Sequence, residues 1–341
     1  MKKNYLLLFV FLILGSGTLW YLFSNKSDKS NTTLGWDRKF AVEDINDVYK
    51  VFIAKRSGET TTLSHEGDHW MVNGQYKASA NAVENVLEVL EDVTLKFVPP
   101  SAALENIVKE IAARGIKVEA YGKNGDLLKS FYVGGVSPDA RATYFIMENA
   151  EQPMAVELPQ MEGQIRTRFD ITGDFWRDRT VFDYQPEDIQ AVSIEYPTQR
   201  NKSFKLTRMG NDFEVKPFYH NVPPINGTVH PGQVEGFFVG FEGRMAESFD
   251  TEYAFKDSIR TTIPFSIVSV TDMKGHEKKV AFYPYFSKDP KTKERKGRLL
   301  DRYFSDINDG EDWMLTQHRV FQDIFWDYQA FFGGPAVQVK D

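Results

Sequence analysis

The sequence predicts an α+β fold: two tandem repeats of an antiparallel sheet covered by helices, preceded by one transmembrane helix. Three observations carry this expectation. First, Val48-Tyr49-Lys50-Val51-Phe52-Ile53 has a counterpart in Ile189-Gln190-Ala191-Val192-Ser193-Ile194. Leu63, Gly67, Trp70 and Val72 likewise recur as Leu206, Gly210, Phe213 and Val215 with nearly the same spacing. Apolar, turn and aromatic positions that keep their order describe two copies of one structural unit. Second, in each half short apolar runs come before and after segments with helical periodicity. Third, Tyr5–Phe23 is an uncharged stretch rich in Leu and Phe, and at ~1.5 Å per residue it matches the thickness of a bilayer core.

Residues 1–25 are therefore expected to anchor the chain, with the lipid bilayer as partner of Tyr5 to Phe23. Lys2 and Lys3 precede the apolar run, so the amino end is expected to stay cytoplasmic and everything after Phe23 to lie on the far side. A cleaved signal peptide ending near Gly15-Ser16-Gly17 is the alternative, although the apolar run resumes at Leu19 to Phe23. Either reading exports the bulk of the chain. Residues 26–38 read as a flexible linker because Ser24 to Thr33 is polar and weakly patterned. The first α+β repeat is expected over 39–179, the second over 180–334, and a tail over 335–341.

Composition narrows the function classes. With 341 residues and 27 Phe there is core material for two domains. A net charge of −7 disfavours general nucleic-acid binding, which needs a surplus of Lys and Arg on one face. The absence of cysteine removes disulfides, thiolate metal sites, cysteine nucleophiles and an acylated lipoprotein cysteine.

In the first repeat, Val48 to Ala54, Thr60 to Ser64 and His69 to Val72 read as strands separated by turns at Ser57-Gly58 and Glu66-Gly67-Asp68. Asn81 and Glu84 open a helix on which Val83, Val86, Leu87, Leu90 and Val93 recur at helical spacing. Pro99-Pro100 stops it. A second helix follows, with Ser101 at its start and Gly115 at its end. Ile116 to Ala120 and Leu127 to Val133 flank the Asn124-Gly125 turn, and Gly134 to Arg141 reads as a short connection. Thr143 to Met147 and Met154 to Leu158 form a last pair around the Glu148 to Pro153 turn.

The second repeat follows the same plan. Val234, Phe237, Phe238, Phe241 and Met245 restore the helical stripe, Pro264 to Thr271 and Lys279 to Pro284 flank Lys274-Gly275, and Val320 to Phe332 is expected to close the unit as an aromatic-rich helix. Two insertions distinguish it. Lys216 to Gly232, with Pro217, His220, Pro223, Pro224, His230 and Pro231, replaces the shorter Asn73 to Ala80. Phe286 to Leu299 carries Lys288, Lys291, Lys293, Arg295, Lys296 and Arg298. Loops elaborated on one copy of a shared scaffold are where a specialised task is expected, so these residues are the candidates for partner contact.

The landmarks of the first repeat resemble the bacterial family known as domain of unknown function 4340. They are Trp70-Met71-Val72, Ala78 to Val83 opening a helix, Tyr132-Val133-Gly134-Gly135, Tyr144-Phe145, and Trp176-Arg177-Asp178-Arg179 before Val181-Phe182. The resemblance implies an envelope protein with an N-terminal membrane segment, in a family of which some members are placed beside ABC-transporter auxiliary or gliding-motility components. It carries no catalytic residues. The second repeat lacks the small-residue helix entry of Ala78 to Ala82.

Candidate chemistry is sparse. His65-Glu66-Gly67-Asp68-His69 has ligand-like residues, but Gly67 places it across a hairpin turn, and its counterpart Arg208 to Asp212 has no ligand set. Asp306, Asn308, Asp309, Glu311 and Asp312 resemble a calcium loop with Gly310 one position early for an EF-hand. His220 and His230 have no third ligand nearby. No nucleophile elbow, phosphate loop or dinucleotide fingerprint is present. The expectation is a single-pass inner-membrane protein with periplasmic domains, acting without catalysis, metal or cofactor as an accessory component that contacts other envelope proteins. The alternatives are an envelope hydrolase or carbohydrate-binding module with a groove lined by Trp70, Trp176, Phe213 and Trp326, and a transporter-associated substrate-binding protein with a cleft at Asp174 to Thr180.

Overall fold

The computed structural model describes residues 35–161, 163–285 and 301–333. In chain order these form β1 (Lys50–Lys55), β2 (Thr60–Glu66), β3 (His69–Val72), β4 (Tyr76–Lys77), α1 (Ala80–Asp92), β5 (Thr94–Phe97), α2 (Ser101–Arg114), β6 (Ile116–Tyr121), β7 (Leu127–Val136), β8 (Thr143–Met147) and β9 (Met154–Glu157). They continue as β10 (Thr180–Phe182), β11 (Ile189–Glu195), β12 (Phe204–Met209), β13 (Asp212–Pro217), α3 (Pro231–Val239), β14 (Arg244–Met245), β15 (Ser248–Phe249), α4 (Lys256–Arg260), β16 (Ser266–Asp272), β17 (Glu277–Tyr285), β18 (Arg302–Ile307), β19 (Asp312–Gln317) and α5 (His318–Phe321). Among the described residues no helix is long and apolar enough to cross a membrane. The expected anchor Tyr5 to Phe23, the linker before residue 35, the basic run Lys288 to Arg298 and the tail after residue 333 lie outside the described residues.

The chain is α+β, with two large antiparallel sheets and few helices. One sheet has the order β4-β3-β2-β1-β6-β7-β8-β9-β5 and the other β13-β12-β11-β16-β17-β18-β19-β15. From β3 to β5 and from β13 to β15 the orders correspond strand for strand, and β4 has no counterpart. Gly67 (φ +65°) and Gly210 (φ +68°) make the equivalent tight turns in conformations that glycine alone adopts without strain. By packing, the chain divides into two compact units, one within Met1–Ser64 and Glu84–Asp170, the other within His65–Val83 and Ile171–Asp341.

In the first unit, β1 lies between β2 and β6, with Val51 and Ile53 buried at alternate positions. Phe40, Phe131, Phe145 and Phe169 fill the core as a ring cluster, with Phe131 and Phe145 stacked at 5.0 Å and Phe40 edge-on to Phe145 at 5.5 Å. Helix α1 buries Val83, Val86, Val89 and Leu90 on one stripe, each such side chain contributing roughly 1.5–3 kcal/mol of burial.

Helix α2 shows why the Gly134-Gly135 landmark exists. The two glycines belong to β7 rather than to the connection expected there, and the strand continues to Val136. A Cβ on Gly134 would stand 2.5 Å from Ile111 Cγ1 and 3.1 Å from the Tyr144 carbonyl oxygen, while the Gly135 amide donates to Glu110 at 2.8 Å. The glycines thus let α2 lie directly on the strand. Gly115 ends α2 for a related reason: its backbone is extended rather than left-handed, and a Cβ would meet the Ile111 carbonyl at 2.4 Å.

The second unit centres on an aromatic core. Val234, Phe237, Phe238 and Phe241 pack with Phe204, Phe265, Phe282, Tyr303, Phe321, Phe325 and Phe331. Two expectations are corrected here. Met245 leaves the helical stripe because α3 ends at Val239 and Gly243 turns at φ +55°, which carries Met245 into β14. The closing helix breaks into α5 and two 3₁₀ turns, Gln322–Ile324 and Tyr328–Phe332. Phe325 leaves helical geometry at φ −89°, ψ 66°, and Asp327 caps the last turn by accepting from the Gln329 amide.

The helices on the outer faces of the two sheets differ. Ile53 pairs with Val118 and Ile194 with Val268, and Val118 pairs with Phe131 as Val268 does with Val280. Counting onward, Tyr283 and Pro284 occupy the places of Gly134 and Gly135. A helix cannot lie on a strand there. Tyr283, Phe304 and Trp313 instead form a stacked satellite with Tyr253, Tyr285 and Ile259 around it, next to the short α4. We predict that Gly134→Val destabilises the protein by about 1–3 kcal/mol through overpacking against Ile111, read as a lower midpoint in denaturant unfolding.

Candidate functional site

The site is built on the β12–β13 hairpin and the face of α3 that it meets. Arg208 sits on β12 beside Phe213 of β13. Its guanidinium donates through Nε to the Ile189 carbonyl at 3.0 Å and through Nη2 to the Pro186 carbonyl at 2.6 Å. The Phe213 and Phe238 rings lie 5.0 and 5.5 Å from it, favourable ground for a cation. Four contacts hold the group still, and among the described residues none of them is an ion pair.

Arg208 stands in an open depression of about 530 Å³ lined by Pro186, Glu187, Gly232, Glu235, Gly236 and Val239. Gly232 and Gly236 come from one side of α3, and nothing lies within 4 Å of where their Cβ atoms would be. Val239 is exposed on the rim. The surface therefore combines a fixed cation, two carboxylates, backbone left bare by glycine and an apolar edge. This arrangement suits recognition of a chain segment; it has no paired acid and base, and no nucleophile is seen in its lining.

The proline-rich insertion runs into this site. Pro217 ends β13 against Phe204, and His220, Pro223, Pro224 and His230 are exposed. The structure does not gather these residues into one cluster. His230 precedes α3, its amide donates to the Phe331 carbonyl, and its ring lies near Gly333. Between them the insertion is fastened down. Ile225 and Val229 pack on the aromatic core, and the Ile225 amide donates to the Tyr328 hydroxyl at 3.3 Å. The Tyr219 hydroxyl donates to Glu195 beneath the Arg200 guanidinium; burial and that hydrogen bond push the hydroxyl up to about 12. The six cations of the other insertion, Lys288, Lys291, Lys293, Arg295, Lys296 and Arg298, lie outside the described residues.

The other suspected clusters resolve into local pairs. His69 bonds Asp68 at 2.7 Å, which lowers the Asp68 carboxyl, and the His65 ring meets Trp70 edge-on. In the acidic turn, Asp306 pairs with Arg260, Asp309 with Lys279, Asp312 with Arg177, and Glu311 accepts from Asn308. No group of three or more metal-ligating side chains occurs among the described residues. Trp176 is buried, and Phe213 and Trp326 pack on the second unit's core.

The Asp174 to Thr180 segment is pinned within the second unit. Arg177 is sandwiched between the Tyr76 and Phe249 rings at 3.7 and 3.8 Å, and it donates to Asp174 at 3.1 Å and Asp312 at 2.6 Å. Next to it, burial pushes the Asp178 carboxyl up, but the Thr180 hydroxyl at 2.6 Å and Lys77 at 3.1 Å outweigh burial and hold it below the usual range.

Arg208, Glu187, Gly232, Gly236 and Val239 escaped sequence reasoning. Their only signal was an inward-facing arginine on a strand and two glycines one helical turn apart. Two predictions follow from the pinned segment. Arg177→Met costs about 2 kcal/mol, a buried-pair penalty reduced because Asp312 is partly exposed, measured by denaturant unfolding. The stability contributed by Asp178 is complete above the ordinary carboxylate pKa and lost as pH falls through its lowered folded value; the difference in unfolding free energy between the unmodified chain and Asp178→Asn shrinks accordingly on the acid side.

No curated protein and no solved structure matches the chain. Residues 70–222, from Trp70 on β3 through the Asp174 to Thr180 segment and into the insertion, match the model of the family described as Domain of unknown function (DUF4340), the family that the landmarks resemble.

Proposed function

We propose that this chain is a non-catalytic accessory protein of the bacterial envelope, tethered to the inner membrane by Tyr5 to Phe23, that recruits a partner protein through the Arg208 depression of its second unit. The observation that carries the reading is Arg208 itself. A guanidinium clamped by two carbonyls and two rings, yet given no carboxylate among the described residues, is a preorganised donor for an acidic group supplied from outside. Glu187 and Glu235 add acceptors for basic residues on the same segment, and Val239 offers it an apolar edge.

The matching strand orders support a duplicated unit, in which the second copy has gained the insertion that ends at Gly232. The uncharged run near the amino end supports a membrane tether, and the lack of a nucleotide or nucleophile motif in the sequence supports a recruiting role over an enzymatic one. Gly236→Trp tests the reading with little risk to folding, because its Cβ position is open. Capture from detergent-solubilised membranes recovers a reproducible partner with the unmodified chain and loses it with Gly236→Trp, while thermal stability stays within about 0.5 kcal/mol. Equal recovery with both chains, or no reproducible partner with either, overturns the proposal.

A further inference from the structure

The two sheets end differently at equivalent edges. In the first, β3 carries β4 beyond it, through Met71↔Lys77 and Val72↔Tyr76. In the second, the insertion stands where β4 would arise, and β13 is the last strand among the described residues. The hairpin turn fixes which backbone groups face outward. Met209 and Asp212 flank the two-residue turn Gly210-Asn211, so pairs 209/212, 207/214 and 205/216 bond across to β12. Phe213 and Val215 therefore present their N–H and C=O groups to the open side, and among the described residues nothing bonds to them. Pro217, which has no N–H, closes the edge.

The edge is complementary to itself. Phe213 and Val215 turn their side chains to the core, while Asp212, Glu214 and Lys216 are exposed on the outer face. In an antiparallel pairing of two β13 strands centred on Glu214, Phe213 faces Val215 of the second copy and each pair exchanges two backbone hydrogen bonds. Asp212 then faces Lys216 of the second copy, twice by symmetry. Glu214 faces its own copy, and the Lys216 ammonium 2.7 Å from it offsets the repulsion. Sliding the register by two residues toward the turn sets Asp212 against Glu214 of the second copy, and sliding it the other way sets Phe213 against Pro217, which has no N–H to give.

We propose that β13 is the self-association edge of this protein, joining two copies through an antiparallel β13–β13 contact with Asp212 of each opposite Lys216 of the other. This contact is separate from the Arg208 depression. A one-residue charge reversal repels itself at both ends of the contact, yet the two opposite reversals complement each other.

The test uses the full chain, solubilised in detergent, carrying either of two affinity tags. Co-capture of one tag through the other is expected for the unmodified chain, to fall about tenfold for Asp212→Lys alone and for Lys216→Asp alone, and to return when the Asp212→Lys chain is mixed with the Lys216→Asp chain. Circular dichroism unchanged in all three confirms that the exposed substitutions leave the fold intact. A chain that does not co-capture itself, single reversals that associate as well as the unmodified chain, or a mixture that is not restored each overturns the proposal. Gly236→Trp leaves self-association unchanged, so failure here and failure of partner recruitment are told apart.

Discussion

The Arg177 guanidinium, held between two aromatic faces, is the constraint on which the second unit depends. It gathers segments near residues 76, 177, 249 and 312 that are remote in sequence. Burying a cation costs several kcal/mol unless its donors are used. Here two carboxylates and two rings answer most of that cost, although Nε has no partner among the described residues. Neighbouring strands inherit the arrangement: Lys278 reaches from β17 to the Thr180 carbonyl at 3.3 Å, and burial lowers its ammonium.

Around that fixed point the second unit keeps its packed core apart from the surface that carries the Arg208 depression. Its core mixes aromatic rings with Val, Ile and Leu from the strands, and the rings meet edge-on at about 5 Å in the arrangement their quadrupoles prefer. That core holds α3 and the 3₁₀ turns rigidly, and the insertion is tied to the same scaffold at Ile225 and Val229. Half-buried Arg208 with its glycine-bared neighbours and the exposed outward row of β13 lie on either side of one hairpin.

The fold was largely legible because its signals are local. Gly67 and Gly210 announce turns, and Val51 with Ile53 or Val192 with Ile194 announce half-buried strands. The end of the chain was misread because Val320 to Phe332 has helical apolar spacing, whereas Asp327 and Phe325 impose short turns that only the packed aromatic core can select. Gly134-Gly135 looked like a turn because glycine usually marks one; its reason is the distance to Ile111, which no linear pattern contains. The depression was illegible for the same cause. Arg208 reads as the stripped counterpart of His65, and its importance arises from carbonyls at Pro186 and Ile189 and a helix from beyond the insertion.

The exchange of Gly134-Gly135 for Tyr283-Pro284 also limits how such a chain can change. One sheet accepts a long helix in direct contact with its strand, and the other has filled that space with stacked rings. A crossover that joined the front of one sheet to the back of the other would place a helix against a tyrosine or leave aromatic rings over bare glycine. Although the strand orders match, the halves have ceased to be interchangeable parts, because each sheet fits only its own covering.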